Sequence, residues 1–483
     1  MSSTVEIDTE SPPLFNYLRQ EIPLEDMRDY ASPQRINSID VVKGFAIILI
    51  MMAHTAAAWL NSEWVFLYAI LFAALDILGP SLFVFLSALS VIFSIKRKEG
   101  KIPKKIVRNR ILSRGATIIF IGIIFNLAGF NQAVRTLAFP LNLWGWNILM
   151  FLGFSQVFSY YALKLRKQYR AFIGLAIIFI SMPLREFLFL NKGSDPLIWI
   201  LHYVITSPAP QLPVFPWISI CFISTIFGEY LYEAMIVGTK DAYIGLNRIF
   251  FIWGIVLIIS GVAVGWTLQT PETMSVEEYL QLDLLRIMNQ QDYFRIPGMP
   301  EFLIRGTAGN MLYNLGAALL IIAIVFNRVD IKEKENDFYR MLIYYGKISL
   351  SLFLIHYFFI GLFIGQLDVV VFLFVVFAFV GFLGFSMYIW NEYGNGLGSP
   401  EWIMIQISRI GQKTGEQVKK ELYKTEVLIK NFSKMILPPK TIQKMEDFIQ
   451  ERKEKRLEKK RKKEEREKMK KFHKKLGYNV DKD

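Results

Sequence analysis

Long apolar runs recur through most of this chain, and at about 18 to 25 residues each can cross the hydrocarbon core of a bilayer as a helix. Hydrophobic residues make up 53% of the 483 residues. Because lipid offers no hydrogen-bond partners, a spanning segment of this kind must satisfy its backbone internally. The sequence therefore predicts an all-α polytopic membrane protein, a bundle of ten helices at 39–61, 64–95, 112–130, 141–163, 171–189, 213–234, 249–269, 302–326, 340–363 and 368–390.

The charges of the loops predict how this bundle is oriented. Residues 96–114 hold nine Lys or Arg against one Glu, and such basic loops stay in the cytoplasm. An even number of spans then places both termini in the cytoplasm, with segments 190–212 and 270–301 outside. We expect a multi-pass protein of the cell membrane.

Four regions follow from composition. Residues 1–34 form a polar cytoplasmic segment, 35–403 the membrane domain, 404–437 an amphipathic cytoplasmic segment and 438–483 a basic charged tail. Between Glu451 and Lys475 the tail has 15 Lys or Arg and 6 Glu, a net charge of +9. Such a block is attracted to the anionic lipid of the inner leaflet. Because aromatic residues are not interleaved with these charges, nucleic acid is not an expected partner.

Polar residues inside the predicted spans share one depth. With a helical rise of about 1.5 Å per residue, His54, Asn147 and His356 lie about 9 to 12 Å below the outer surface, and Asp76 about 16 Å. Ionisable groups in hydrocarbon are costly, so a common layer indicates a water-filled site for a hydrophilic substrate. Each residue also has a structural interpretation, such as a neutral histidine bonded to a neighbouring helix or an Asp76 paired within the bundle.

The segment that opens the first span carries a recognisable pattern. Arg35, Ser38, Asp40, Lys43 and Gly44, followed by His54, resemble the R-x-x-S-x-D-x-x-R-G…H opening of transmembrane acyltransferases. The best fit is the heparan-α-glucosaminide N-acetyltransferase family with its prokaryotic relatives, and the acyltransferase-3 family is a more distant cousin. Later segments agree in order over residues 35–403, namely Phe215-Pro216-Trp217, Gly346 to His356, and Gly398 to Trp402.

This resemblance implies that an acyl group, such as acetyl, passes from cytoplasmic acyl-CoA to an amine or hydroxyl of an extracytoplasmic glycan or amino sugar. His54 would be the general base, since imidazole titrates near neutral pH. Asp76 would orient the imidazole, Asn147 would donate to the oxyanion, and His356 would be a substrate ligand or second base. The lysosomal animal members place their histidine after the first span, and since residues 61–75 contain none, His54 must serve here.

The donor site implied by the resemblance lies among the cytoplasmic basic residues. Arg35, Lys43, Arg108 and Arg110 would hold the phosphates of acetyl-CoA or another acyl-CoA, and no metal is expected. Each of these charges also satisfies the positive-inside rule. Lys43 replaces the Arg of the pattern, which keeps the charge but loses the bidentate fork. Arg305, at the start of the eighth span, is interpreted as an interfacial anchor.

Two other classes of function stay open. A transporter or flippase for a polar or lipid-linked substrate would also use polar residues in a central cavity, but it favours internal repeats, and none is visible. A structural or regulatory membrane protein would leave the shared depth of His54, Asp76 and His356 unexplained. A homo-oligomer is possible for any of these classes.

Overall fold

A computed structural model describes residues 36–75, 80–96, 104–131, 134–135, 137–206, 212–290, 295–394 and 396–404. Two predicted site residues, Arg35 and Asp76, lie outside the described residues. The N-terminal segment, nearly all of the amphipathic segment and the whole basic tail lie outside them as well.

The described residues are mostly helical, with two short strands, which confirms the all-α prediction. The long helices are α1 (Asn37–Trp59), α2 (Val65–Leu75), α3 (Pro80–Lys96), α4 (Lys104–Leu127), α5 (Ile148–Ala162), α6 (Lys167–Asn191), α7 (Pro196–Ile205), α8 (Val214–Val237) and α9 (Lys240–Val264). They are followed by α10 (Leu282–Met288), α11 (Ala308–Phe326), α12 (Asp337–Lys347), α13 (Ser349–Phe359) and α14 (Val369–Gly394). Two short strands, β1 (Leu268–Gln269) and β2 (Met299–Pro300), pair antiparallel.

The predicted count of ten spans is not confirmed. By length and composition, seven helices among the described residues could cross a membrane, or eight if the bent pair of α12 and α13 counts as one. The difference arises where predicted spans are short or divided. Within 64–95 the described residues form α2 and α3 on either side of residues 76–79, which are not described, and the α-helix within 141–163, α5, has only 15 residues.

Helix α1 is held at its N-terminal end by residues that are distant in the sequence. The carboxylate of Asp330 accepts hydrogen bonds from the backbone amides of Asn37 and Ser38, both at 3.0 Å. These amides have no partner within the helix, and the positive end of the helix dipole also favours a carboxylate there.

Helix α1 also packs closely against α12. A Cβ atom at Gly44 would lie 1.9 Å from the carbonyl oxygen of Leu342, and one at Gly346 would lie 2.0 Å from that of Asp40. Only a residue without a side chain permits this approach, and small residues typically form such contacts between membrane helices. Gly44 and Gly346 both belong to the segments that carry the family resemblance, so their positions have a packing explanation.

The predicted span 340–363 is broken at Ile348, where α12 and α13 meet at 81°. Glu401 supports the start of α13, because its carboxylate accepts hydrogen bonds from the backbone amide of Ser351 at 2.9 Å and from the Ser351 hydroxyl. Burial raises the pKa of the Glu401 carboxyl, and the bonds from Ser351 lower it. Glu401, which follows α14 in the sequence, therefore anchors the first turn of α13.

Residues 265–307, which we name the cap segment, connect α9 to α11. They contain β1, β2 and α10, and residues 291–294 are not described. Leu282 and Leu285 of α10 share a buried cluster with Ala69 and Ala73 of α2. Since α2 follows the C-terminal end of α1, the cap segment covers the end of the bundle opposite to Lys43.

Candidate functional site

A cavity of about 470 Å³ lies at the cap end of the bundle. Residues of α1 line it from Leu49 to Ala58, and His54 lies in the middle of that stretch. Further wall residues come from α2, the end of α4, the cap segment, α13 and α14. This volume lies within the range typical of small-molecule sites, which are mostly apolar with a few polar groups.

The two histidines predicted from depth are in direct contact. Nδ1 of His54 lies 2.9 Å from Nε2 of His356, although 302 residues separate them in sequence. His54 is half-buried in the cavity wall, whereas His356 is fully buried behind it. The ring of Tyr357 packs against both, with centroid distances of 5.2 Å to His54 and 4.3 Å to His356.

The hydrogen bonds of this pair define the tautomers. Nδ1 of His356 lies 3.1 Å from the backbone carbonyl oxygen of Leu352, which can only accept. Nδ1 of His356 is therefore the protonated nitrogen, and in a neutral ring its Nε2 is the acceptor. His54 then donates its own Nδ1 proton, which leaves the lone pair on Nε2 of His54 as the basic group of the pair.

Asn147 lines the same cavity and caps α5. Its Oδ1 accepts from the amide of Met150 at 2.9 Å, and its Nδ2 donates to the carbonyl of Gly122 at 3.1 Å and to Oδ1 of Asn126 at 2.7 Å. Both amide hydrogens are thus engaged by protein groups. The predicted oxyanion role of Asn147 requires that one of these bonds be exchanged for a bond to the substrate.

The predicted donor residues are only partly brought together. Nζ of Lys43 lies 3.5 Å from Oγ of Ser90, and Ser90 shares a small cleft with Arg110 and Arg114. Arg108 is exposed on α4 and does not line that cleft. Lys43, Arg110 and Arg114 form a cationic group at one end of the bundle, which we name the basic end.

Several polar residues of the cavity wall were not predicted as site residues. Arg305, interpreted from the sequence as an interfacial anchor, lines the cavity, and so do Gln281 and Tyr357. Tyr357 directly follows His356, so helical proximity could have indicated it. Gln281 lies in the cap segment, where no periodic pattern relates a residue to the bundle. Among the described residues, no group of three or more His, Cys, Asp or Glu could hold a metal ion.

Comparison with known families gives one match. Residues 35–254 match the model described as heparan-alpha-glucosaminide N-acetyltransferase, catalytic. No curated protein sequence is significantly similar to the chain. The matched region contains His54, Lys43 and Asn147, and it begins at the first residue of the opening pattern. The cavity, the histidine pair and the match agree on a membrane acetyltransferase, and residues 35–254 are similar to the catalytic domain of the heparan-alpha-glucosaminide N-acetyltransferase family.

Proposed function

We propose that this protein transfers an acetyl group from cytoplasmic acetyl-CoA to an amine or hydroxyl of an extracytoplasmic glycan or amino sugar. The observation that carries the proposal is the bond between His54 and His356 in the wall of a cavity. Because the tautomers of the two histidines are defined, one imidazole nitrogen of the pair is free to act as a base. An amine or alcohol acceptor needs such a base to remove its proton before it can attack a thioester.

In this reaction Nε2 of His54 takes the proton of the acceptor as its nitrogen or oxygen attacks the thioester carbonyl carbon. The new C–N or C–O bond forms, the C–S bond breaks, and the proton passes to the departing thiolate of CoA. His356 accepts the Nδ1–H of His54 throughout, and so stabilises the imidazolium that forms.

The path of the donor follows α1. Lys43 and His54 are eleven residues apart on this helix, which corresponds to about 16 Å along its axis. The cavity reaches toward the basic end as far as Leu49. Phosphates held near Lys43 and Arg110 would leave the flexible pantetheine arm to cross the remaining distance to His54. The predictions for Arg35 and Arg108 stay proposals, as does the orienting role of Asp76.

Transfer is tested with purified protein, acetyl-CoA and glucosamine, by following thiol release and acetylated product together. His54→Ala should lower the rate by about 10²–10⁴, the usual contribution of a general base. Thr55→Ala is the matched control, because Thr55 belongs to the same helix but does not line the cavity. Lys43→Glu should weaken acetyl-CoA binding by roughly tenfold or more, since a charge that attracts phosphate is reversed. Full activity of His54→Ala would reject the proposal.

A transporter is the second candidate, and the broken helix pair α12 and α13 is the observation that favours it. Transporters place substrate at discontinuous helices of this kind. Reconstitution into vesicles separates the two functions, because a transporter would move glucosamine into the vesicles without releasing CoA thiol from added acetyl-CoA.

A further inference from the structure

A buried arginine outside the histidine pair connects two parts of the cap segment. Arg185 of α6 is 1% exposed. Its Nε donates to Oε1 of Glu278 at 2.6 Å, its Nη2 to the backbone carbonyl of Glu278 at 2.7 Å and its Nη1 to the carbonyl of Gly306 at 3.2 Å. A buried charge is costly unless it is paired and hydrogen-bonded, and this guanidinium has both kinds of partner.

The partners of Arg185 adjoin residues of the cavity wall. Glu278 lies three residues before Gln281, and Gly306 directly follows Arg305. Gln281 and Arg305 both line the cavity that contains His54. The Arg185 guanidinium therefore fixes two parts of the cavity wall, one at Gln281 and one at Arg305, which are 24 residues apart in the sequence.

The surroundings of Arg185 are shaped for this contact. Gly306 has a φ of +90°, and a Cβ atom there would lie 2.4 Å from Nη1 of Arg185, so the turn requires glycine for both reasons. The Tyr279 ring lies 4.6 Å from Cζ of Arg185. Burial, only partly offset by the Arg185 charge, raises the pKa of the Tyr279 hydroxyl to about 12, so the phenol stays neutral at physiological pH.

We propose that Arg185 is a positioning residue for the acceptor: it holds Gln281 and Arg305 in the wall of the His54 cavity and thereby sets acceptor affinity. The inference rests on the proposed function. It concerns the acceptor rather than the donor, because the cap segment covers the end of the bundle opposite to Lys43.

The same helix provides a matched control. Arg170, fifteen residues earlier in α6, is 2% exposed and forms an ion pair with Glu229 of α8. Fifteen residues correspond to about 22 Å along the helix. Neither Arg170 nor Glu229 lines the cavity. Arg170→Lys therefore perturbs a buried arginine pair of the same kind without touching the cavity wall.

The test compares Arg185→Lys and Arg170→Lys with the wild-type protein, using acetyl-CoA and glucosamine at varied concentrations. Lysine keeps the charge but cannot bond Glu278 and Gly306 together. We expect the acceptor KM of Arg185→Lys to rise by roughly tenfold or more, since small displacements of positioning groups have effects of this size. Its KM for acetyl-CoA should stay at the wild-type value. Both KM values should stay unchanged in Arg170→Lys, because a loss of folded protein lowers only the apparent kcat.

Glu278→Gln provides a second variant if Arg185→Lys does not fold, since the amide keeps an acceptor oxygen for Nε. It should raise the acceptor KM by a smaller factor. If Arg185→Lys is active and its acceptor KM is unchanged, this inference is overturned and the proposed function is not. If Arg185→Lys does not fold, an unchanged acceptor KM in Glu278→Gln has the same meaning. Absence of transfer in both the wild type and Arg170→Lys would overturn the proposed function and this inference with it.

Discussion

At the residue scale, the proposed reaction gives the two histidines different roles, and substitution can separate them. Glutamine in place of His356 puts an amide oxygen near the position of Nε2 and can still accept the Nδ1 proton of His54. Phenylalanine fills the site without an acceptor. We therefore predict that His356→Gln keeps a larger share of the wild-type kcat than His356→Phe, with acetyl-CoA binding unchanged in both.

Steady-state kinetics at saturating acetyl-CoA and glucosamine measure this difference. If both variants lost the same activity, His356 would do more than accept the proton of His54, and a role as a second base would become the better explanation. The comparison is informative because His356 is fully buried behind His54, so neither variant changes the cavity wall directly.

How far residues could be predicted depended on the kind of signal they carry. A histidine inside an apolar run is conspicuous, and its depth follows from the helical rise, so His54 and His356 could be chosen as candidates from the sequence. Their direct bond could not, because it depends on how two helices 302 residues apart are rotated. Arg185 was also recognisable from the sequence, because it is a charged residue within a predicted span. Its partner Glu278 lies in the irregular cap segment, where no pattern indicates contact.

At the element scale, the contact between α1 and α12 can be tested by adding one methyl group. Gly44→Ala places a Cβ atom 1.9 Å from the carbonyl oxygen of Leu342, so the helices must separate. Overpacking of this kind typically costs about 1–3 kcal/mol. We predict a lower thermal unfolding midpoint in detergent for Gly44→Ala. Gly381→Ala is the control, since no atom lies within 4 Å of a Cβ atom there and its midpoint should not fall.

The helices themselves show what apolar length can and cannot predict. It identified the long apolar helices between residues 37 and 394 but not α7 or α10, because a long run of apolar residues in a membrane protein has few alternatives to helix. It did not predict the break at Ile348, since both halves are apolar enough to pass for one span. The start of α13 after the break is anchored by Glu401, which bonds Ser351 from 50 residues away, and such a long-range bond cannot be recognised from the local sequence.

At the scale of the whole molecule, the orientation of the bundle can be measured with single cysteines. The chain has one cysteine, Cys221, which is buried, so Cys221→Ser provides a background without thiols. Lys104→Cys and Ser194→Cys each add an exposed cysteine, one at the first residue of α4 and one between α6 and α7. An impermeant maleimide applied to intact cells should label Ser194→Cys only, because the loop of residues 96–114 is basic. Labelling of Lys104→Cys alone would show that the bundle has the opposite orientation to the one predicted.

The bond from Asp330 to the start of α1 has a consequence for how the protein is made. Asp330 follows Asn37 by 293 residues, and His356 follows His54 by 302. At a synthesis rate of about 5–20 residues per second, α1 waits roughly 15–60 s before either partner leaves the ribosome. During that time His54 is already in the membrane, but its hydrogen-bond partner His356 has not yet been synthesised. The histidine pair that we propose as the base is therefore completed late in biosynthesis, after most of the chain has been synthesised.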